Sequence, residues 1–162
     1  MKKIFTAGLI LVCSFASGRA SDKAAHDAVH VTALPSTIEW KPGPASLPPG
    51  AQVAMLEGDL SKPGYFAVRL KLPAGYKVPA HFHPVQERVT VIEGSFYLGR
   101  GEKFDEASLT EYPAGAYISM PKGMRHFAMA KGECIIQLST IGPWGITYVN
   151  PTDDPRNQKS SR

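Results

Sequence analysis

Gly75-Tyr76-Lys77-Val78-Pro79-Ala80-His81-Phe82-His83-Pro84-Val85-Gln86-Glu87-Arg88-Val89-Thr90-Val91-Ile92-Glu93-Gly94 is the stretch on which the reading of this chain turns. In an extended strand, residues two apart share a face. His81 and His83 therefore project together while Phe82 points away. Pro84 interrupts the ladder, so Glu87 returns on the next strand or at a bend. A second neighbourhood, Pro121-Lys122-Gly123-Met124-Arg125-His126, has the residues of a tight turn and delivers His126 at the start of another strand. Three imidazoles and one carboxylate suit a divalent first-row metal: Mn, Fe, Co, Ni, Cu or Zn. Structural zinc sites prefer clustered thiolates, and the chain has none. Any one of these histidines taken singly reads as an ordinary core or surface residue.

The surroundings are β-rich. Phe66, Val68, Leu70 and Leu72 alternate with Ala67, Arg69 and Lys71. Residues 88–98 form one Val/Ile/Thr/Tyr-rich run through Gly94. Tyr117-Ile118-Ser119-Met120 and Ile135-Ile136-Gln137-Leu138 are further short strands, and Lys103–Ala107 alone suggests a helical turn. Turn residues recur about every ten positions, at Pro73-Ala74-Gly75, Gly99-Arg100-Gly101, Pro113-Ala114-Gly115 and Lys131-Gly132. Many short strands at that spacing predict an all-β sandwich or barrel.

The ends of the chain read differently. Lys2 and Lys3, the apolar run Ile4–Phe15 and the small residues Ala16 to Ala20 have the pattern of a secretory signal peptide over residues 1–20. The apolar run is too short to span a bilayer. Cleavage after Ala20 would remove three bases (Lys2, Lys3, Arg19) and no acid. The formal charge of +4 then falls to 15 bases against 14 acids. That balance removes the case for nucleic acid or an anionic membrane surface as a partner. The expectation is a periplasmic or secreted protein, free of the membrane once the signal is removed. Residues 21–37 read as a flexible segment, although His26 and His30 would share a face on a helix. Residues 38–150 form the domain, and 151–162 a polar, frayed tail. Of two cysteines, Cys13 leaves with the signal. Cys134 lies in an apolar stretch and reads as a small buried hydrophobe, so no intramolecular disulfide is expected.

Two spacings give the chain a resemblance. Gly75, His81-x-His83, Glu87 and Gly94 match the first motif of the cupin superfamily. Gly115, Pro121-x-Gly123 and His126 match the second, with twenty residues between the motifs. The likeness extends from about Trp40 to Val149. It implies a cupin jelly-roll barrel of antiparallel strands, with His81, His83, Glu87 and His126 as metal ligands inside it. It also implies that Gly75, Gly94, Gly115 and Gly123 make the turns and bulges that aim those ligands. One position departs: where the second motif closes on Asn, this chain has Ala130. The stretch Gly142–Pro151, taken with Leu47-Pro48-Pro49-Gly50-Ala51, resembles small exported bacterial cupins.

Fold does not fix function here, because cupins include dioxygenases, isomerases, sensors and binding modules. Two readings stay open. The chain is an exported metalloenzyme, with dioxygenase-like or other oxidoreductase chemistry on a small molecule, or a non-catalytic module that binds or senses a small ligand or metal. A homodimer is compatible with either. Phe82, Arg88, Tyr97, Met120, Arg125 and Gln137 are the candidates to line a substrate pocket. Arg125 would clamp a carboxylate or else sit solvated in its turn, while Phe82, Tyr97 and Met120 serve equally well as packing.

Overall fold

The Pro/Gly-punctuated runs become eleven strands in the computed structural model, which describes residues 30–158. They are β1 (Lys41–Pro42), β2 (Gln52–Glu57), β3 (Gly64–Leu72), β4 (Tyr76–Phe82), β5 (Glu87–Glu93) and β6 (Ser95–Arg100). The rest are β7 (Thr110–Pro113), β8 (Tyr117–Met120), β9 (His126–Ala130), β10 (Cys134–Gly142) and β11 (Thr147–Tyr148). One sheet has the order β1-β2-β3-β10-β5-β8, the other β11-β4-β9-β6-β7, and every pairing is antiparallel. β10 lies between β3 and β5, and β9 between β4 and β6. Chain neighbours thus pass from sheet to sheet, which is the jelly-roll arrangement expected from the sequence. The signal-peptide reading, His26 and residues 159–162 fall outside the described residues. Among the described residues no helix is long and apolar enough to cross a membrane.

Alternation decides which face of each strand is covered. Phe66, Val68, Leu70 and Leu72 are all buried on the inner face of β3, whereas Arg69 and Lys71 on the other face are half-exposed. The four buried residues pair across β10 with, in the same order, Thr140, Leu138, Ile136 and Cys134. The long run 88–98 is two strands rather than one. Gly94 separates them at φ +72°, where a Cβ would collide with the carbonyl oxygen of Glu133. The chain turns there because only glycine fits.

The strand expected to start at His126 is β9, and it shows no sequence alternation for a clear reason. All five of its residues are buried. Its inner face meets the core, and its outward Phe127 is covered by the Phe104 ring at 5.2 Å. A strand buried on both faces carries no polar alternation. Ala130, the departure from the cupin motif, is fully buried in this strand, and its carbonyl accepts from the Gly75 N–H. Cys134 is also fully buried, and burial, reinforced by Glu93, pushes its thiol up to about 11. The segment read as a frayed tail instead forms two 3-10 turns, Pro151–Asp153 and Pro155–Asn157. Arg156 ties them down by pairing with Asp154 and donating to the Ile146 carbonyl at 3.1 Å.

Gly94→Ala tests this account of the β5–β6 junction. The added methyl meets backbone and forces an αL residue, so the expected loss is about 2 kcal/mol. It should appear as a lower urea midpoint at unchanged slope.

Candidate metal centre

The histidines meet because of how β4 and β9 end. His81 and His126 are direct cross-strand partners, and their rings lie 4.2 Å apart centre to centre. The register of β4 on β9 shifts between Val78 and His81, leaving Pro79 in the interruption. The Pro79 carbonyl there accepts from His81 Nδ1 at 2.6 Å. Strand β4 stops at Phe82, so His83 is one residue beyond it. The second turn holds His83 in place: the Gly123 N–H donates to the His83 carbonyl at 3.0 Å. His83 Nδ1 donates to the carbonyl of Gly145 at 2.6 Å, and His126 Nδ1 to that of Met124 at 2.9 Å.

These three contacts fix the tautomers. A carbonyl only accepts, so each Nδ1 carries the hydrogen, and each neutral ring keeps a bare lone pair on Nε2. The three rings can bring one nitrogen each to within 4.8 Å of one another. Glu87, the first residue of β5, places Oε2 3.2 Å from His83 Nε2 and 3.5 Å from His126 Nε2. All four side chains are buried, none more than 6% exposed. His83 Nε2 is without a hydrogen-bond partner. Its closeness to the carboxylate is therefore a meeting of lone pairs, which demands a proton or a cation between them.

Protonation follows the same logic. Burial, helped by the neighbouring His126 and His83, pulls His81 down to about 3. Burial alone would do the same to His83, but the Glu87 carboxylate reverses it and holds His83 above its ordinary value. Burial pushes against the Glu87 charge, and His83 and His126 overcome it, so the carboxyl is held well below its usual range. Three neutral-tautomer imidazoles oriented by backbone carbonyls, with one buried carboxylate, fit a divalent transition metal. His81, His83, His126 and Glu87 are the residues that would hold it.

A cavity of about 40 Å³ adjoins these groups. It has room for an ion and one or two water-sized molecules, not for an organic substrate. Its walls include Leu47, Leu70, Phe96, Met120, Trp144 and Ile146. Of the six residues expected to line a substrate pocket, only Met120 does so. Arg88 bonds Gln86, Gln137 accepts from Arg69, and Lys131 sits over the Tyr97 ring. Arg125 pairs with Glu102 on the surface and lies over Phe82. Trp144 and Gly145 escaped the site reading. Trp144 stacks on His83 at 4.7 Å and 22°, its indole nitrogen buried without a partner. The Gly-Pro-Trp-Gly run at 142–145 was the available signal. Tyr76 and Tyr148 also enclose the site, their hydroxyls donating to the carbonyls of Pro48 and Ser46.

A two-sheet jelly roll with inward histidines defines a cupin. Residues 28–142 match the ChrR cupin-like domain family, and the chain belongs to that family. No significant match exists among curated proteins. Several solved structures share the fold. The polyketide cyclase RemF from Streptomyces resistomycificus is 17% identical, with 78% of this chain and 90% of that one covered and a TM-score of 0.61. A putative acetylacetone dioxygenase from Methylibium petroleiphilum is 20% identical, with 79% and 87% covered and a TM-score of 0.58. An RmlC-like cupin from Shewanella frigidimarina is 17% identical, with 69% and 89% covered and a TM-score of 0.53.

The proton balance gives a pH prediction for chelated protein. His81 takes up its proton in the unfolded chain below about 6.5, but in the folded protein only near 3. Stability therefore falls as pH drops through that window, by about 1.4 kcal/mol per pH unit for one proton. Glu87, with its folded value depressed, adds to the loss at lower pH. His83 acts oppositely: its stabilisation is complete below 6.5 and fades as pH rises through its raised value. Urea unfolding in chelator should show stability about 1.5 kcal/mol lower at pH 5 than at pH 6.5, together with a milder decline on the alkaline side. A curve flat from pH 5 to 8 would contradict the assigned environments.

Proposed function

We propose that this chain is an exported mononuclear metal cupin that carries out oxidoreductase-type chemistry on a small molecule. The observation that carries the reading is the convergence of three imidazoles, each locked by a backbone carbonyl into the tautomer that presents Nε2. A divalent transition metal at these residues would supply Lewis acidity or, if redox-active, electron transfer. The residues themselves do the rest. Glu87 balances cationic charge inside an apolar barrel. Trp144, Phe96, Leu70 and Ile146 exclude bulk water and lower the local dielectric, strengthening every electrostatic contact within.

A second reading, a non-catalytic ligand- or metal-binding module, draws on one observation. Among the described residues that line the cavity, Glu87 is the only carboxylate, and the hydroxyl of Tyr76 is already committed to the Pro48 carbonyl. No separate general acid or base stands ready. The identity of the metal and whether dioxygen is consumed distinguish the two readings.

Protein purified from its own export compartment should carry one metal per chain and an intact mass matching residues 21–162. His81→Ala should lower metal occupancy at neutral pH, and the triple His→Ala variant should abolish it. Chelated wild type should stay folded, because the core around Phe66, Val89 and Leu138 does not depend on the metal. Restoring metal at a hundredfold excess over Kd should stabilise it by about 2.7 kcal/mol. Full metal content in the triple variant would refute the ligand set. Iron, manganese or copper with oxygen consumption supports the enzyme, and a zinc form without turnover supports the binding module.

A further inference from the structure

The inner face of the larger sheet extends past the metal chamber. Cross-strand register places Val53, Leu70 and Ile136 in one row, and Met55, Val68 and Leu138 in the next. The first row reaches the metal chamber through Leu70 and Ile136. The second row is the floor of a much larger pocket of about 780 Å³. Among the described residues its other walls come from the short strand β1 and from irregular chain, including Ile38, Leu47, Trp144 and Gly145. Leu47, Leu70 and Trp144 line both cavities, so they are the partition between them.

We propose that this outer pocket binds an uncharged, largely apolar small molecule, with Trp144 as the wall it shares with the metal chamber. Size is the first support, since 780 Å³ lies in the range of small-molecule sites while the metal chamber holds only water-sized guests. Chemistry is the second. The floor and most of the wall are aliphatic. Of the charged groups lining the pocket, Glu39 and Lys41 oppose one another in sign, and Arg156 is already held by Asp154. Glu39 and Lys41 cancel in charge, as do Arg156 and Asp154, so the lining carries no net charge to favour a charged ligand. The third support is continuity: Trp144 stacks on His83, and its neighbour Gly145 supplies the carbonyl that orients His83. A guest pressing on Trp144 therefore reaches a metal-site histidine through two direct contacts. In this respect the inference rests on the proposed metal reading, but the pocket itself does not.

The test uses the full chain and the uncharged fluorescent probe N-phenyl-1-naphthylamine. Saturable binding of one probe per chain is expected, with and without chelator. Energy transfer from Trp144 should persist in Trp40→Phe, which leaves it the only tryptophan. Met55 is 45% exposed on the pocket floor, so Met55→Glu should fold and weaken the probe about tenfold. Ile141→Glu, at 57% exposure and outside the pocket, should leave binding unchanged. Unsaturable binding, or equal weakening by both variants, would overturn the proposal. So would a dimer that Met55→Glu dissociates while the wild type shows no probe site, because the pocket's occupant would then be a second copy. Sedimentation velocity reads that outcome. Probe binding retained in the triple His→Ala variant keeps the pocket even if the metal reading fails. Loss of probe binding in protein that holds its metal would remove the pocket alone.

Discussion

The hydrogen bonds from His81, His83 and His126 to the carbonyls of Pro79, Gly145 and Met124 are the constraint around which the rest is arranged. An imidazole without such a bond is free to choose its tautomer and to rotate. With it, the Nε2 lone pair has one direction. Each carbonyl is available because the backbone around it is irregular: a register shift at Pro79, a turn at Met124, and the connection from β10 to β11 at Gly145. Regular strands would have spent those acceptors on the ladder. Proline and glycine are thus concentrated next to the histidines because they keep acceptors out of the ladder.

The apolar barrel makes that geometry consequential. Three lone pairs and a carboxylate buried at 6% exposure or less repel one another unless a positive charge joins them. The opposite shifts of His81 and His83 express that demand: the site accepts one proton readily and resists the next. A divalent cation answers the same demand with greater charge. The surrounding hydrophobic side chains hold the fold together without it, since the strands pair along their full length away from the site.

Much of this was legible in the sequence, and the gaps have physical causes. The period-two pattern of Phe66–Leu72 located β3, because one of its faces meets water. The His81-x-His83 spacing placed two imidazoles together even though the strand ends at Phe82. By contrast, the strand expected to start at His126 carried no alternation, because β9 is buried on both faces. The segment 21–37 looked too polar to pack, yet Thr32, Ala33 and Thr37 line a pocket. Trp144 was invisible as a site residue because its role depends on a loop returning across the barrel to His83. Arg88, Tyr97 and Gln137 were expected to face inward from their chemistry alone. Their strand positions point them outward, and parity overrides chemistry in a β-sheet.

Parity fixes only which positions face inward, and structures about 17–20% identical share this fold. The inward positions around the chamber are three histidines, one carboxylate and apolar groups including Val78, Phe96 and Met120. The walls contributed by irregular chain are not bound by parity. In this protein those walls are Leu47, Trp144 and Ile146, and they reduce the metal chamber to the size of a few waters while leaving a larger volume beside it. Access to the histidines is therefore set by the loops that close the barrel. A change of one loop side chain alters what can approach the histidines without disturbing the bonds that orient them.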